Sequence, residues 1–285
     1  MTRLATLFAF ALFASIAAAA SAQEPLRVFI SVDMEGIAGA VNNDDVGASG
    51  ADYAHFRKIM AEEANAAIRG ALLAGASEIL VRDSHGGKKN ILPADLLPHA
   101  RLLRGASAGP KNMMEGIDAT FRAAVFIGYH ARAGTPNAVM EHTSNGNVID
   151  MKINGVSMPE AGYNALVAGL YDVPVVFISG DRAFVDQARE LLGPVEAVAV
   201  KEEIDGAIDS LSPLAAQKAI EEGVARGVNR LAQLKPYTLS APYTLVLKVR
   251  REKDLYPGAT RTGEGESTFT SDDLLEILNA FNAMK

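Results

Sequence analysis

Two short runs rich in β-branched and aromatic residues, Leu26 to Val32 (LRVFISV) and Glu78 to Arg82 (EILVR), are joined by a stretch of helical period. In that stretch, from about His55 to Ala74, apolar residues recur at helical spacing, Glu62 and Glu63 are expected on the wet face, and Gly75 closes the helix. Strand, helix, strand in this order predicts a βαβ unit, whose right-handed crossover brings both strand ends to one edge of a parallel sheet. Apolar strands of this kind must be covered on both faces, which points to helices on either side.

The pattern continues along the chain. Ala123 to Gly128 (AAVFIG) reads as a strand ending at Tyr129-His130, Glu160 to Leu170 as a helix, Pro174 to Ser179 as a strand and Arg182 to Leu192 as a helix. From Val195 the character shifts to a strand (Val195–Val200), a helix opened by Ser212-Pro213, an alternating strand (Tyr243–Val249) and a last helix (Ser271–Met284). The expected architecture is α/β: a mostly parallel sheet flanked by helices over residues 23–193, with a smaller C-terminal α+β unit over residues 194–285.

Residues 1–22 read as a signal peptide: Arg3, an apolar run from Leu4 to Ala20, then the small-x-small pattern Ala20-Ser21-Ala22. A membrane anchor is the rival reading, but an Ala-rich run ending in a cleavage pattern favours removal. The remaining 263 residues are enough to bury a substantial core. With a net charge of −7 for the whole chain and no basic tract, neither nucleic acid nor an anionic membrane surface is an expected partner. The expectation is an exported, periplasmic location, with no membrane attachment after signal cleavage. The chain has no Cys, so disulfides, thiolate zinc sites and cysteine nucleophiles are excluded together, and any metal falls to His, Asp and Glu.

Asp33 and Glu35 follow the first strand, His85 the second, and His130 the third, while Glu160 opens a helix. In open α/β sheets the ligand crevice lies at the carboxyl ends of strands, so Asp33, Glu35, His85 and His130 are expected to converge on one edge, where Glu160 could join them. Taken singly, a His or carboxylate at a strand end is usually a loop-capping or surface residue. Asp33 and Glu35 are two apart and would point the same way on an extended strand, where they repel unless a cation lies between them. Two His and three carboxylates suit a borderline divalent metal such as zinc, with two ions sharing a bridging carboxylate as one arrangement. His55 and His99 read as structural or solvated.

Two other functions compete. Gly105-Ala106-Ser107-Ala108-Gly109 fits the nucleophile elbow of serine hydrolases with Ser107 as nucleophile, but Pro110 and Lys111-Asn112 follow where a helix is needed. An exported, non-catalytic peptide-binding protein would use the same sheet edge, but it has no need of five metal-ligand residue types.

Ser31-Val32-Asp33-Met34-Glu35-Gly36 resembles the Ser-x-Asp-x-Glu-Gly signature of the D-aminopeptidase (dipeptide transport protein) family of zinc metallopeptidases. Glu62-Glu63-Ala64-Asn65, Asp83-Ser84-His85, Gly128-Tyr129-His130-Ala131-Arg132-Ala133, Met140-Glu141-His142 and Asn164-Ala165 recur in family order. Tyr171-Asp172-Val173-Pro174-Val175, Pro257-Gly258 and Thr262-Gly263 continue it, so the resemblance covers the chain after residue 22. It implies that Asp33 bridges two zinc ions per subunit, that Glu35 and His130 complete one site and His85 and Glu160 the other, and that His142 is catalytic. It also implies a homo-oligomer, a ring-shaped decamer, that cleaves short D-amino-acid peptides such as D-Ala-D-Ala from the free N-terminus. The sequence departs from the family at Pro159, where Gly is more usual, and at Glu141, whose carboxylate beside His142 would favour the imidazolium.

Overall fold

The computed structural model describes residues 25–285; the expected signal peptide lies outside the described residues. Strand β1 (Arg27–Val32) turns Val28, Ile30 and Val32 to one face and Phe29 and Ser31 to the other. The first set packs against α2 (Tyr53–Leu73), through Met60 and Ile68, and against α5 (Pro213–Asn229), through Ile220 and Val224. Phe29 packs on the opposite face within a second core. A one-residue slip would exchange the two faces, so burial fixes the register and with it the point where Asp33 and Glu35 emerge.

After the one-turn helix α1 (Asn43–Val46) and α2, β2 (Glu78–Asp83) pairs parallel with β1, and β3 (Arg101–Leu103) extends that wing. β4 (Ala123–Tyr129) pairs parallel on the other edge of β1 and starts the opposite wing. That wing continues through β7 (Val175–Asp181) and β8 (Glu196–Ile204), both parallel, to the antiparallel β9 (Ala207–Ser210). The sheet order is β3-β2-β1-β4-β7-β8-β9, with α3 (Glu160–Gly169) and α4 (Arg182–Leu192) on the Phe29 face.

A second sheet is antiparallel, in the order β11-β12-β10-β5-β6, built from β5 (Val148–Ile153), β6 (Val156–Ser157), β10 (Tyr243–Val249), β11 (Thr260–Gly263) and β12 (Glu266–Ser271). Helix α6 (Leu274–Met284) backs it, and Met151, Leu245 and Phe281 join it to the core beneath α3 and α4.

Three expectations are corrected here. The division after residue 193 does not follow the sheets: β8, β9 and α5 complete the large sheet and its cover, whereas residues 148–157 belong to the small one. β7, α4 and β8 are a further strand–helix–strand unit, so β8 continues the parallel sheet across the expected boundary. The last helix begins at Leu274, because Asp273 caps it by accepting from the Leu275 N–H at 2.8 Å. Glu63 is fully buried, not on the wet face.

The chain runs from β1 to β3 in one direction and from β4 to β8 in the other, so the order reverses between β1 and β4. Crevices form at such switch points, beyond the carboxyl ends of the strands. Here the two departing chains nearly touch: the Gly36 N–H donates to the Gly128 carbonyl at 2.8 Å. A Cβ on Gly36 would stand 1.9 Å from the Tyr129 oxygen, and one on Gly128, whose φ is +68°, would stand 2.4 Å from the Asp33 oxygen. Gly36→Ala is therefore expected to cost about 1–3 kcal/mol by overpacking. Urea unfolding would check this; an unchanged midpoint would mean that the crossing has slack.

Candidate metal centre

At this switch point the structure brings together Asp33, Glu35, His85, His130, His142 and Glu160. His85 Nδ1 lies 2.9 Å from Glu35 Oε2 and 3.3 Å from Asp33 Oδ1. His130 Nε2 lies 3.6 Å from Asp33 Oδ2 and 3.7 Å from Glu160 Oε1. His142 Nε2 lies 3.8 Å from Glu35 Oε1 and 3.7 Å from Glu160 Oε1, and its ring stacks on that of His130 with centroids 4.0 Å apart. Three triads each hold their ligand atoms within 4.8 Å: Asp33, Glu35 and His85; Asp33, His130 and Glu160; Glu35, His130 and His142. Asp33 belongs to two of them. His85 stands with Glu35 and Asp33 rather than with Glu160, a different grouping from the pairing that the family resemblance implies.

The far side of each imidazole is held by a backbone carbonyl. His85 Nε2 is 2.9 Å from the Val46 oxygen, His130 Nδ1 is 3.0 Å from the Ala131 oxygen, and His142 Nδ1 is 3.0 Å from the Met140 oxygen. A ring N–H given to a carbonyl leaves a lone pair on the other nitrogen, and in all three residues that nitrogen faces carboxylates. Lone pair against carboxylate is repulsive unless a proton or a cation lies between them. The His130 Nε2 atom is buried with no hydrogen-bond partner, the mark of a nitrogen shaped for a ligand.

Electrostatics give the same result. Burial and the Glu35 charge push Asp33 up to about 6, against the hydrogen bond from His85. Burial also opposes ionisation of Glu35, but His85 beside it outweighs burial and holds Glu35 well below its ordinary value. Burial alone would lower His85; the Glu35 charge and the hydrogen bonds that His85 donates to Asp33 and Glu35 reverse this and raise it to about 11. Without a cation, the crowded carboxylates stay charged only by loading protons onto imidazoles. A divalent ion does the same, and a set of hard carboxylates with imidazoles suits zinc.

Local structure sets these side chains. Asp33 Oδ1 accepts from the Met34 N–H at 3.0 Å, and Glu160, at the start of α3, accepts from the Ser144 N–H at 2.6 Å. Met140 and Ser144, flanking His142, have φ of 55° and 68°, strained backbone that the loop keeps to aim the ring. Beneath the cluster, Ser31 Oγ bonds Ser84 Oγ at 2.6 Å and Tyr129 OH at 2.7 Å, and Asn164 donates to Tyr129 OH at 3.1 Å. Glu141 is exposed and forms no ion pair with His142 among the described residues; the carboxylates facing that ring are Glu35 and Glu160. His55 and His99 lie outside the cluster.

Sequence reasoning missed Lys201. From β8 its ammonium reaches across to donate to the Glu35 carbonyl at 2.5 Å and to the Ala40 carbonyl, while itself 3% exposed. Burial lowers it to about 8, against the charges of Asp181 and Glu63. It braces the loop carrying Asp33 and Glu35 from behind.

Ser107 lines the same cavity as His142 but is no nucleophile elbow: β3 ends at Leu103, and only a single 3₁₀ turn at Asn112–Met114 follows. The cavity has a volume of about 260 Å³. A larger hollow of about 750 Å³, between Arg27, Phe121 and Leu231, lies where the strands begin and is lined by no histidine.

Comparison with known proteins agrees with this geometry. The D-aminopeptidase family model matches residues 26–283. A D-aminopeptidase of Bacillus subtilis (strain 168) is 38% identical over 268 residues, which span 91% of this chain and 96% of the relative. A solved structure, the Zn-dependent D-aminopeptidase DppA from Bacillus subtilis, a self-compartmentalizing protease, superposes with a TM-score of 0.86 at 37% identity, covering 90% of this chain and 96% of that one. That likeness corrects the expected location. That relative is described as a self-compartmentalizing protease, which suggests a cytosolic protein in its case and does not support the expected export. Residues 1–22, on which the periplasmic expectation rested, lie outside the described residues, and that expectation is withdrawn.

Proposed function

The chain belongs to the D-aminopeptidase family of peptide-bond hydrolases, and we propose that it removes amino-terminal D-residues from short peptides at the cluster between β1 and β4. In this reading Asp33, Glu35, His85, His130 and Glu160 hold two zinc ions per subunit, with Asp33 shared between them. The observation that carries it is the set of three imidazoles, each pinned by a backbone carbonyl and presenting its other nitrogen to buried carboxylates. Bound zinc supplies Lewis-acid polarisation of the scissile carbonyl and a nucleophile from water at neutral pH.

The chain's own groups do the rest. The buried carboxylates of Asp33, Glu35 and Glu160 offset most of the charge of the ions. His142 lines the cavity half-buried with Nδ1 held by Met140, so Nε2 is the atom that moves a proton to the leaving amine or donates to the oxyanion. His142→Ala is expected to lower kcat about a hundredfold while zinc content stays at the wild-type value; loss of an ion in that variant would make His142 a ligand instead. Hydrolysis of matched D-Ala-D-Ala and L-Ala-L-Ala by the zinc-loaded protein tests the function, with the D-peptide expected to be preferred and equal rates counting against D-specificity. The self-compartmentalizing relative supports assembly of this chain into a homo-oligomer, for which we propose the decameric ring.

A further inference from the structure

We propose that Lys88 and Lys285 form a subsite for the free carboxylate of a short peptide, so that this centre selects dipeptides over longer or C-terminally blocked chains. The inference rests on the peptidase reading above. One cavity of about 260 Å³ is lined at once by Asp33, Glu35 and Glu160 and by Lys88 and Lys285. With the three carboxylates given to the metal centre, the two ammonium groups are the charges of this lining left for a ligand, and they match a carboxylate. Two residues span at most about 7 Å, so only in a very short peptide are the ammonium and the carboxylate both inside such a space. The volume falls below the roughly 300–1,000 Å³ of sites for drug-sized ligands.

The two lysines come from different layers. Lys88 sits in the loop after β2 with φ of 58°, and its ammonium donates to the Ser84 carbonyl. Lys285 follows α6 of the small sheet, and its ammonium donates to Ser144 Oγ at 2.6 Å. Neither forms an ion pair within 4.0 Å among the described residues. An ammonium has three donors, so each keeps free N–H groups for a ligand. Ser107 Oγ lines the same cavity, buried and with no hydrogen-bond partner, and offers a further donor. Burial pushes Lys285 down to about 8, with Glu160 opposing and Lys88 adding to the shift, so a carboxylate placed between the two cations relieves their repulsion.

The experiment compares D-Ala-D-Ala with its C-terminal amide on the zinc-loaded full chain. The expected KM is at least about tenfold lower for the free acid, the scale of one charge-assisted hydrogen bond, with kcat within a few-fold. Lys285→Met and Lys88→Met should each bring the ratio of the two KM values toward one, and Lys285→Arg should keep much of it. Equal KM values in the wild type, or a ratio that survives in both Met variants, would overturn the subsite. Hydrolysis of both peptides with equal KM removes this inference and leaves the peptidase reading standing; hydrolysis of neither removes both.

Discussion

Asp33→Asn is expected to release zinc and lower kcat/KM about a thousandfold or more, while the metal-free protein loses no stability. Asp33 is 2% exposed and, like Glu35 and His130, belongs to two of the three ligand triads, so its charge is shared within the cluster. Groups that merely support a ligand cost 10–100-fold when replaced, and a shared ligand exceeds that. Asn keeps the shape and the hydrogen bond from the Met34 N–H. The stability half follows from the sign of the titration. Burial and Glu35 raise Asp33 to about 6 in the folded protein, above its ordinary 3.8. Its contribution to stability is therefore full below about 3.8 and is lost as pH rises through about 6, where the ionised group becomes a net cost. At pH 7.5 the substitution relieves that cost, so the metal-free melting temperature should hold or rise. Calorimetry after chelation, beside zinc analysis, checks both halves. A variant that keeps its zinc, or whose metal-free form melts well below wild type, would contradict the role given to Asp33.

Lys201→Met is the second large effect, and it acts through the fold. Removing this cation takes the donor from the Glu35 and Ala40 carbonyls and withdraws the positive charge that favours ionisation of buried Glu63 and Asp181. Leaving a buried acceptor unsatisfied costs about 1–3 kcal/mol, and two carbonyls lose their donor here. Burial holds Glu63 up at about 7, against the Ala38 N–H and Lys201. Below that pH the carboxyl is protonated and the missing cation matters less, so the loss should be smaller at pH 5.5 than at pH 7.5. Urea unfolding at the two values measures it. A loss under about 1 kcal/mol at pH 7.5 would show that water or a neighbouring group replaces the ammonium.

The strand ends were the legible part of this protein. LRVFISV and AAVFIG announce buried strands by their own composition, and Asp33, Glu35 and His130 follow them directly, so the sheet edge and most of the cluster could be read before any coordinates, whereas the strand order that makes it a switch point could not. Helices α4 and α5 carried their boundaries in sequence too, the latter through Ser212 accepting from the Ala215 N–H and Pro213 in the first turn. What stayed hidden depends on distant partners. Glu63 looks solvated by helical period, because nothing near it tells that Lys201 of β8 comes to cover that face. β5 and β6 are short, and they belong to a sheet whose other strands lie some ninety residues later in the chain. The Lys88 and Lys285 pair is invisible for the same reason: only the packing of α6 brings the chain's last residue to the cavity.

The central claim is that the His and carboxylate side chains between β1 and β4 are a zinc centre that hydrolyses peptide bonds. It is tested most directly by adding zinc stepwise to exhaustively chelated protein while following D-Ala-D-Ala hydrolysis and bound metal together. The account predicts no hydrolysis in the chelated protein and activity that rises with zinc and levels off near two ions per chain. Full activity with less than about a tenth of an ion bound per chain would contradict it.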